Sequence, residues 1–260
     1  MVDFFSCKET LCIVRNRIEV LHVKIDVVTM KEAVSRVEGF IARKKPHLVV
    51  TPNAEMIMMA NQDKDFAQII NNADLVVPDG AGVVWAARYN GDSMPERVAG
   101  YDLVQNLLME AAKKKYRIYM LGGAPGIVDK AKKVAEQRYP GVQIVGTRHG
   151  FFTKQEEPEI VDSIIAEQPD IVLVALGVPR QEKWLVDYME QIKAPVSIGV
   201  GGTFDVMAGA VIRAPLWMQN ANLEWLHRLL SEPKRAIRML ALPKFVLQVM
   251  ANKKNRISKI

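Results

Sequence analysis

Short uninterrupted runs of Val, Ile and Leu alternate along this chain with longer stretches in which apolar residues recur every three or four positions. The first pattern suits strands buried on both faces and the second suits amphipathic helices. Strands are predicted at Ile18–Val23, His47–Thr51, Leu75–Pro78, Arg117–Leu121, Val142–Gly146, Ile171–Leu176 and Val196–Val200. Between them the spacing predicts helices over Met30–Arg43 (introduced by Thr29), Ala54–Ala60, Asp65–Asn71 and Ala81–Tyr89. After a loop at Asn90–Gly100, further helices are predicted over Tyr101–Lys114, Pro125–Tyr139, Glu156–Glu167 and Gln181–Gln191. Strand–helix alternation of this kind predicts an α/β fold, a Rossmann-like and mostly parallel sheet with helices on both faces.

From Pro215 the strand signal stops. Helical periodicity continues at Leu223–Ser231 and Pro233–Gln248, with a break at Glu232-Pro233 because proline disfavours a helical conformation in the residue before it. The chain therefore divides into an α/β catalytic domain, residues 1–212, and a helical C-terminal appendage, residues 213–260. Charge follows the same division. From Arg213 onward ten basic side chains face two acidic ones, a net charge of +8, which leaves residues 1–212 at −2 within a total of +6. The basic excess belongs to the appendage, and it suits an anionic surface.

Composition narrows the class. With 49% hydrophobic and 25% charged residues over 260 positions, the chain is globular rather than disordered or fibrous. Asp3, Lys8 and Glu9 interrupt the apolar start, so no signal peptide is expected, and no uncharged apolar run reaches the length of a membrane span. A cytoplasmic location follows as the expectation. Cys7 and Cys12 have no nearby His partners, so neither a zinc site nor a structural disulfide is expected.

Ligands of open parallel sheets bind outside the carboxyl ends of the strands, and the unusual residues cluster there. Thr51-Pro52-Asn53 follows one strand, and Thr51 reads first as a helix N-cap with Pro52 in the first helical position. Asp79, between Pro78 and Gly80, reads either as a cap or as a general base. Gly122-Gly123 and Gly201-Gly202 follow strands where backbone can approach a phosphate closely. Gly122-Gly123-Ala-Pro-Gly126 does not match the dinucleotide fingerprint. The one D-x-D, Asp63-Lys64-Asp65, opens an amphipathic helix and reads as dipole-favoured acid, so no metal is inferred. Arg97 is then the candidate cation for a leaving diphosphate.

Taken in order, Thr51-Pro-Asn-Ala-Glu55, Ala73-Asp-Leu-Val-Val-Pro-Asp-Gly80, Arg97-Val-Ala-Gly-Tyr-Asp102 and Leu121-Gly-Gly123 form one set. Gly177-Val-Pro-Arg-Gln-Glu-Lys-Trp184, Gly199-Val-Gly-Gly-Thr-Phe-Asp205 and Arg213-Ala-Pro-x-Trp217 complete it. The set resembles the WecG/TagA/CpsF glycosyltransferase family across roughly residues 18–240, a likeness more specific than any single motif. The resemblance implies transfer of N-acetylmannosamine from UDP-N-acetylmannosamine to the 4-hydroxyl of N-acetylglucosamine carried on undecaprenyl diphosphate, in wall teichoic acid synthesis. It implies inversion at the anomeric carbon, with no metal and no cofactor. Asp79 would be the base and Thr51 would help to orient the transferred sugar, with Asn53 nearby. Arg97 and Gln181 would lie near the donor diphosphate, and Gly122, Gly201, Gly202 and Asp205 where the nucleotide lies.

The resemblance extends to the appendage, where Arg228, Arg235 and Arg238 would meet the lipid diphosphate, a task suited to guanidinium forks. Trp225, Leu229, Leu230, Ile237, Leu240, Leu242, Phe245 and Val246 would supply an apolar face for the inner surface of the cell membrane. The alternative is that this face packs on the body or on a second subunit, and a homo-oligomer is compatible with it. Two rival readings are a relative using UDP-N-acetylmannosaminuronic acid or UDP-glucose, and a nucleic-acid-binding protein using the basic tail. The second wants basic and aromatic residues on an exposed sheet or groove, whereas this sheet is predicted buried and the tail is aliphatic, so no nucleic-acid partner is expected.

Overall fold

The computed structural model describes residues 15–221, 223–231 and 240–257. Cys7, Cys12, the break at Glu232-Pro233, Arg235, Ile237 and Arg238 lie outside the described residues, as does the side chain of Arg228.

Six strands form one wholly parallel sheet in the order β4-β3-β8-β7-β5-β6: β3 (Leu48–Val50), β4 (Leu75–Val76), β5 (Arg117–Gly122), β6 (Gln143–Arg148), β7 (Ile171–Ala175) and β8 (Val196–Gly199). One face is covered by α1 (Met30–Arg43), α5 (Gly100–Lys114), α6 (Ile127–Arg138) and α9 (Thr203–Met207). The other carries α2 (Ala54–Ala60), α3 (Lys64–Asn72), α4 (Ala81–Asn90), α7 (Glu157–Glu167) and α8 (Arg180–Ile192). Two apolar clusters, one on each face, make up the core, as the continuous Val/Ile/Leu runs of the strands require. The expected Rossmann-like α/β architecture is what the chain adopts.

Local signals account for several boundaries. Thr29 caps α1 with a capping box to Glu32, and Asp63 caps α3 by accepting from the Phe66 backbone N–H at 3.0 Å. The Asp63-Lys64-Asp65 pair thus opens a helix, as its sequence suggested.

The N-terminal strand departs from expectation. Ile18–Val23 is not one strand: the chain reverses at Leu21 and His22 and forms an antiparallel hairpin of β1 (Arg17–Val20) and β2 (Val23–Asp26). Both turn residues have positive φ, 47° and 66°, which turns of this kind need and which Leu and His seldom adopt. Long-range bonds stabilise the hairpin instead. Asp26, fully buried, accepts from Arg15, Arg17 and Arg36 and from the Val76 backbone N–H at 2.8 Å. The hairpin is so tied both to the sheet edge and to α1.

Beyond residue 210 come α10 (Leu216–Asn220), α11 (Glu224–Ser231) and α12 (Ala241–Ile257). Phe245 and Val249 of α12 are each 1% exposed and join the apolar cluster of the α2/α4 face. Phe245, expected on an apolar membrane face, packs on the body instead, its ring lying against α4 at Gly82. Leu230, Leu240 and Leu247 stay exposed, as do Ile212, Leu216 and Trp217 where the chain leaves the body.

Candidate active site

The helix after β8, α9, lies on one face of the sheet, while those after its neighbours β3 and β7, namely α2 and α8, lie on the other. Diverging connections open a crevice at the carboxyl ends of these strands. The crevice holds three connected bays. Thr51, Asn53, Asp79, Tyr101, Gln181, Gly201, Gly202, Arg213 and Glu224 line the first. Asn53, Glu55, Met59, Gly177, Gly201, Gly202 and Asp205 line the second. The third, about 680 Å³, is bounded by Gly123, Gly150, Phe151, Phe152, Arg180 and Asp205.

Backbone bonds hold the first bay in shape. The Asp79 N–H donates to Pro52 O at 3.2 Å and the Val98 N–H to Pro78 O at 3.0 Å, which join the three loops around Asp79. Thr51 is not the expected cap. Asn53 takes that position, its Oδ1 accepting from the Met56 N–H at 3.0 Å, because the helix starts beyond Pro52. Thr51 instead faces Gly100, where a Cβ would come within 3.1 Å of its Oγ1. Gly80, rather than Asp79, occupies the cap position of α4.

The basic groups sit at the rim. Arg97 donates to Glu224 Oε2 at 2.6 Å, so it reaches the bay through that carboxylate rather than by lining it. Arg213 grips Asp102 with both terminal nitrogens, at 2.6 and 2.8 Å, reaches Glu224 at 3.2 Å, and stacks over the Tyr101 ring at 4.6 Å. Burial works against the Arg213 charge; the two carboxylates outweigh it and push its pKa up. In the third bay Arg180 lies over the Phe152 ring at 4.7 Å and donates to Gly150 O at 3.3 Å.

Gly122 stands one residue behind the bay that Gly123 lines, and its lack of a side chain has a packing cause: a Cβ would sit 2.2 Å from Ala175 O. Gln181 is 2% exposed; its Oε1 accepts from the Gly201 N–H at 3.1 Å and its Nε2 donates to Glu182 Oε1 at 2.7 Å. Glu182 is itself 1% exposed, and burial raises its carboxyl from 4.5 to about 7 against the smaller lowering effect of Gln181. Glu182, Arg213 and Glu224 belong to the site without standing out as site residues in the sequence. Glu182 sits among Arg, Gln and Lys and looks solvated, whereas Arg213 had a signal in its Arg-Ala-Pro motif. Among the described residues no group of three His, Cys, Asp or Glu side chains is arranged to hold a metal ion.

The first bay thus gathers the Asp79 and Glu224 carboxylates, a threonine, the amides of Asn53 and Gln181 and a glycine turn beside two rim arginines, a set able to bind an anionic ligand and remove a proton next to it. Comparison with known proteins agrees with the family resemblance of the sequence. Residues 18–259 match the Glycosyl transferase WecG/TagA/CpsF family. The N-acetylglucosaminyldiphosphoundecaprenol N-acetyl-beta-D-mannosaminyltransferase of Bacillus subtilis (strain 168) is 37% identical over 84% of both chains. Its Bacillus spizizenii counterpart is 36% identical over 83% of both. That of Staphylococcus aureus (strain MW2) is 31% identical over 94% of this chain and 95% of its own. A family match along nearly the whole length, with relatives 31–37% identical over most of both chains, means that the chain belongs to the WecG/TagA/CpsF family of glycosyltransferases.

Proposed function

We propose that this glycosyltransferase moves N-acetylmannosamine from UDP-N-acetylmannosamine to the 4-hydroxyl of N-acetylglucosamine on undecaprenyl diphosphate, in wall teichoic acid synthesis. The observation that carries the reading is the convergence of Thr51, Asn53, Asp79, Gln181, Gly201 and Gly202 in one bay, in a chain whose relatives are named for that acceptor and that sugar.

In this reading the reaction is one displacement. Asp79 takes the proton of the acceptor hydroxyl, the freed oxygen attacks the anomeric carbon from the side opposite the nucleotide, and the bond to the phosphate oxygen breaks. Attack from that side inverts the anomeric centre. UDP leaves with the bonding electron pair, and arginine charge at the rim, Arg97 above all, balances it in place of a metal ion. Thr51 and Asn53 orient the sugar, while the glycine turns and Asp205 receive the nucleotide. Because Arg97 is paired with Glu224 in the described structure, donor binding exchanges one anion for another at that guanidinium.

The same reading makes residues 213–260 a peripheral membrane appendage acting at the inner face, with Arg228, Arg235 and Arg238 toward the lipid diphosphate. Its net positive charge and the exposed Leu216, Trp217 and Leu230 support that role. No helix of the described residues is long and apolar enough to cross a membrane.

The experiment is UDP release from a panel of UDP-sugars with a GlcNAc-diphosphoryl polyprenol acceptor, run with EDTA. UDP-N-acetylmannosamine should be the preferred donor and turnover should survive chelation; preference for another donor, or restoration only by added divalent metal, overturns the corresponding part. Asp79→Asn should lower kcat by about 10²–10⁴-fold with UDP affinity nearly unchanged, and wild-type kcat in that variant removes Asp79 as the base.

A further inference from the structure

Glu182 is a buried titratable group beside the crevice for which the reaction just described has no use. Its Oε1 accepts from Gln181, and its Oε2 is buried with no hydrogen-bond partner among the described residues. A carboxyl in that position costs stability that a methionine of similar length would not. The pair is fitted into the sheet: at Gly199 a Cβ would lie 2.7 Å from Gln181 Nε2 and 3.0 Å from Glu182 Oε1, so only glycine leaves room beneath it.

The reason for such a pair lies in the symmetry of the carboxamide. The end of a Gln side chain turns about a broad, nearly two-fold torsion, so its oxygen and nitrogen can exchange places. Gly201 offers an N–H, and only the oxygen can meet it; the reversed amide would set donor against donor. A carboxyl oxygen held against Nε2 removes the reversed state. Gly201 has φ of +53°, and with Gly202 it lines both the first and second bays. The three groups thus form one chain of bonds, from Glu182 through Gln181 to the glycine turn on the crevice floor.

We propose that Glu182 is a positioning residue of the donor site: by accepting from Gln181 Nε2 it fixes the amide with its oxygen toward Gly201, and so holds the Gly201-Gly202 turn in the form that receives the nucleotide diphosphate. The diphosphate part rests on the donor reading above; the hold on Gly201 does not. Glu182 touches no substrate and acts through Gln181.

Full-length wild type, Glu182→Met and Glu182→Gln are compared by hydrogen exchange at the Gly201 amide without ligand, by UDP binding, and by donor kinetics. In Glu182→Met the Gly201 amide should exchange about tenfold faster, and UDP affinity should fall about tenfold, the weight of one lost buried hydrogen bond. Donor KM should rise with it, while kcat and acceptor KM change little and the melting temperature holds or rises. A merely structural role would move stability and affinity down together. Glu182→Gln keeps an acceptor oxygen and should stay near wild type in Gly201 exchange, UDP affinity and donor KM. Glu182→Ala carries the same expectations for Gly201 exchange and donor affinity if the methionine variant does not fold. Wild-type exchange at Gly201 in the methionine or alanine variant, or equal damage from Gln and Met, overturns the proposal. Failure of the wild type to bind UDP overturns the donor reading alone, because Gly201 exchange is read without donor.

Discussion

Glu182 shows at the scale of one residue what burial does to a carboxyl. Its folded value of about 7 stands above the 4.5 of the unfolded chain. Below about pH 4.5 both states hold the proton. Between that point and about pH 7 the folded state keeps it and the unfolded chain releases it, so stability falls as pH rises through this window. The full effect is on the order of 3 kcal/mol. Urea unfolding of wild type and Glu182→Gln at about pH 5 and about pH 8 should therefore show the variant gaining on the wild type at the higher pH, and parallel behaviour would mean that Glu182 ionises freely. None of this is visible in Arg-Gln-Glu-Lys, where the glutamate looks like a solvated helix residue. Asp79 and Thr51 differ: a carboxylate between Pro and Gly after a strand stands out, and the structure sets both in one bay. What Thr51 does was less legible. Its capping role passed to Asn53, a choice made by where the chain leaves the strand rather than by side-chain preference.

Among the elements, α12 joins the body more closely than its basic sequence suggests. Phe245 and Val249 enter the core, Lys253 lies over the Tyr89 ring at 4.4 Å, and Asn61 donates to Gln248 at 3.2 Å. Phe245→Ala removes a fully buried aromatic and should cost about 3–5 kcal/mol. Urea unfolding gives the magnitude, and limited proteolysis should show cleavage near α12 before the sheet; unaltered stability would mean that α12 is not docked in solution. The β1–β2 hairpin makes the complementary point. Nothing local in Leu21-His22 asks for a turn, and the turn is held by Asp26, which takes three arginines from β1, α1 and the segment before β1. The helices between the strands were legible to within a residue or two of their ends because caps such as Thr29 and Asp63 act within one turn.

For the whole molecule, the division of charge and the exposed apolar residues point the same way. The chain from Arg213 carries +8 against −2 for the rest, Ile212, Leu216 and Trp217 stand exposed where it leaves the body, and Leu230 stands exposed on α11. The full-length protein should sediment with anionic vesicles at low salt and be largely released at about 0.5 M salt, where the screening length falls to a few ångströms. Truncation before Arg213 should abolish this binding. It should also lower the melting temperature, because Phe245, Val249 and the Asp102–Arg213 pair are lost together. Equal vesicle binding by the truncated chain would remove the membrane role of the appendage.

The sequence by itself determined the order of strands and helices, their burial on both faces, the location of the basic charge and the set of strand-end motifs. These depend on neighbours within a few positions, where periodicity, capping and composition act. Tertiary structure alone decided which distant segments meet. It brought Thr51, Asp79, Gln181 and Gly201 to one bay, paired Arg97 with Glu224, and put Phe245 into the core. It also enclosed Glu182 beneath Gly199, a contact made between a helix and a strand. The bay follows from β3, β7 and β8 lying side by side in an order unlike their order in the chain, and burial and electrostatics depend on that proximity in space.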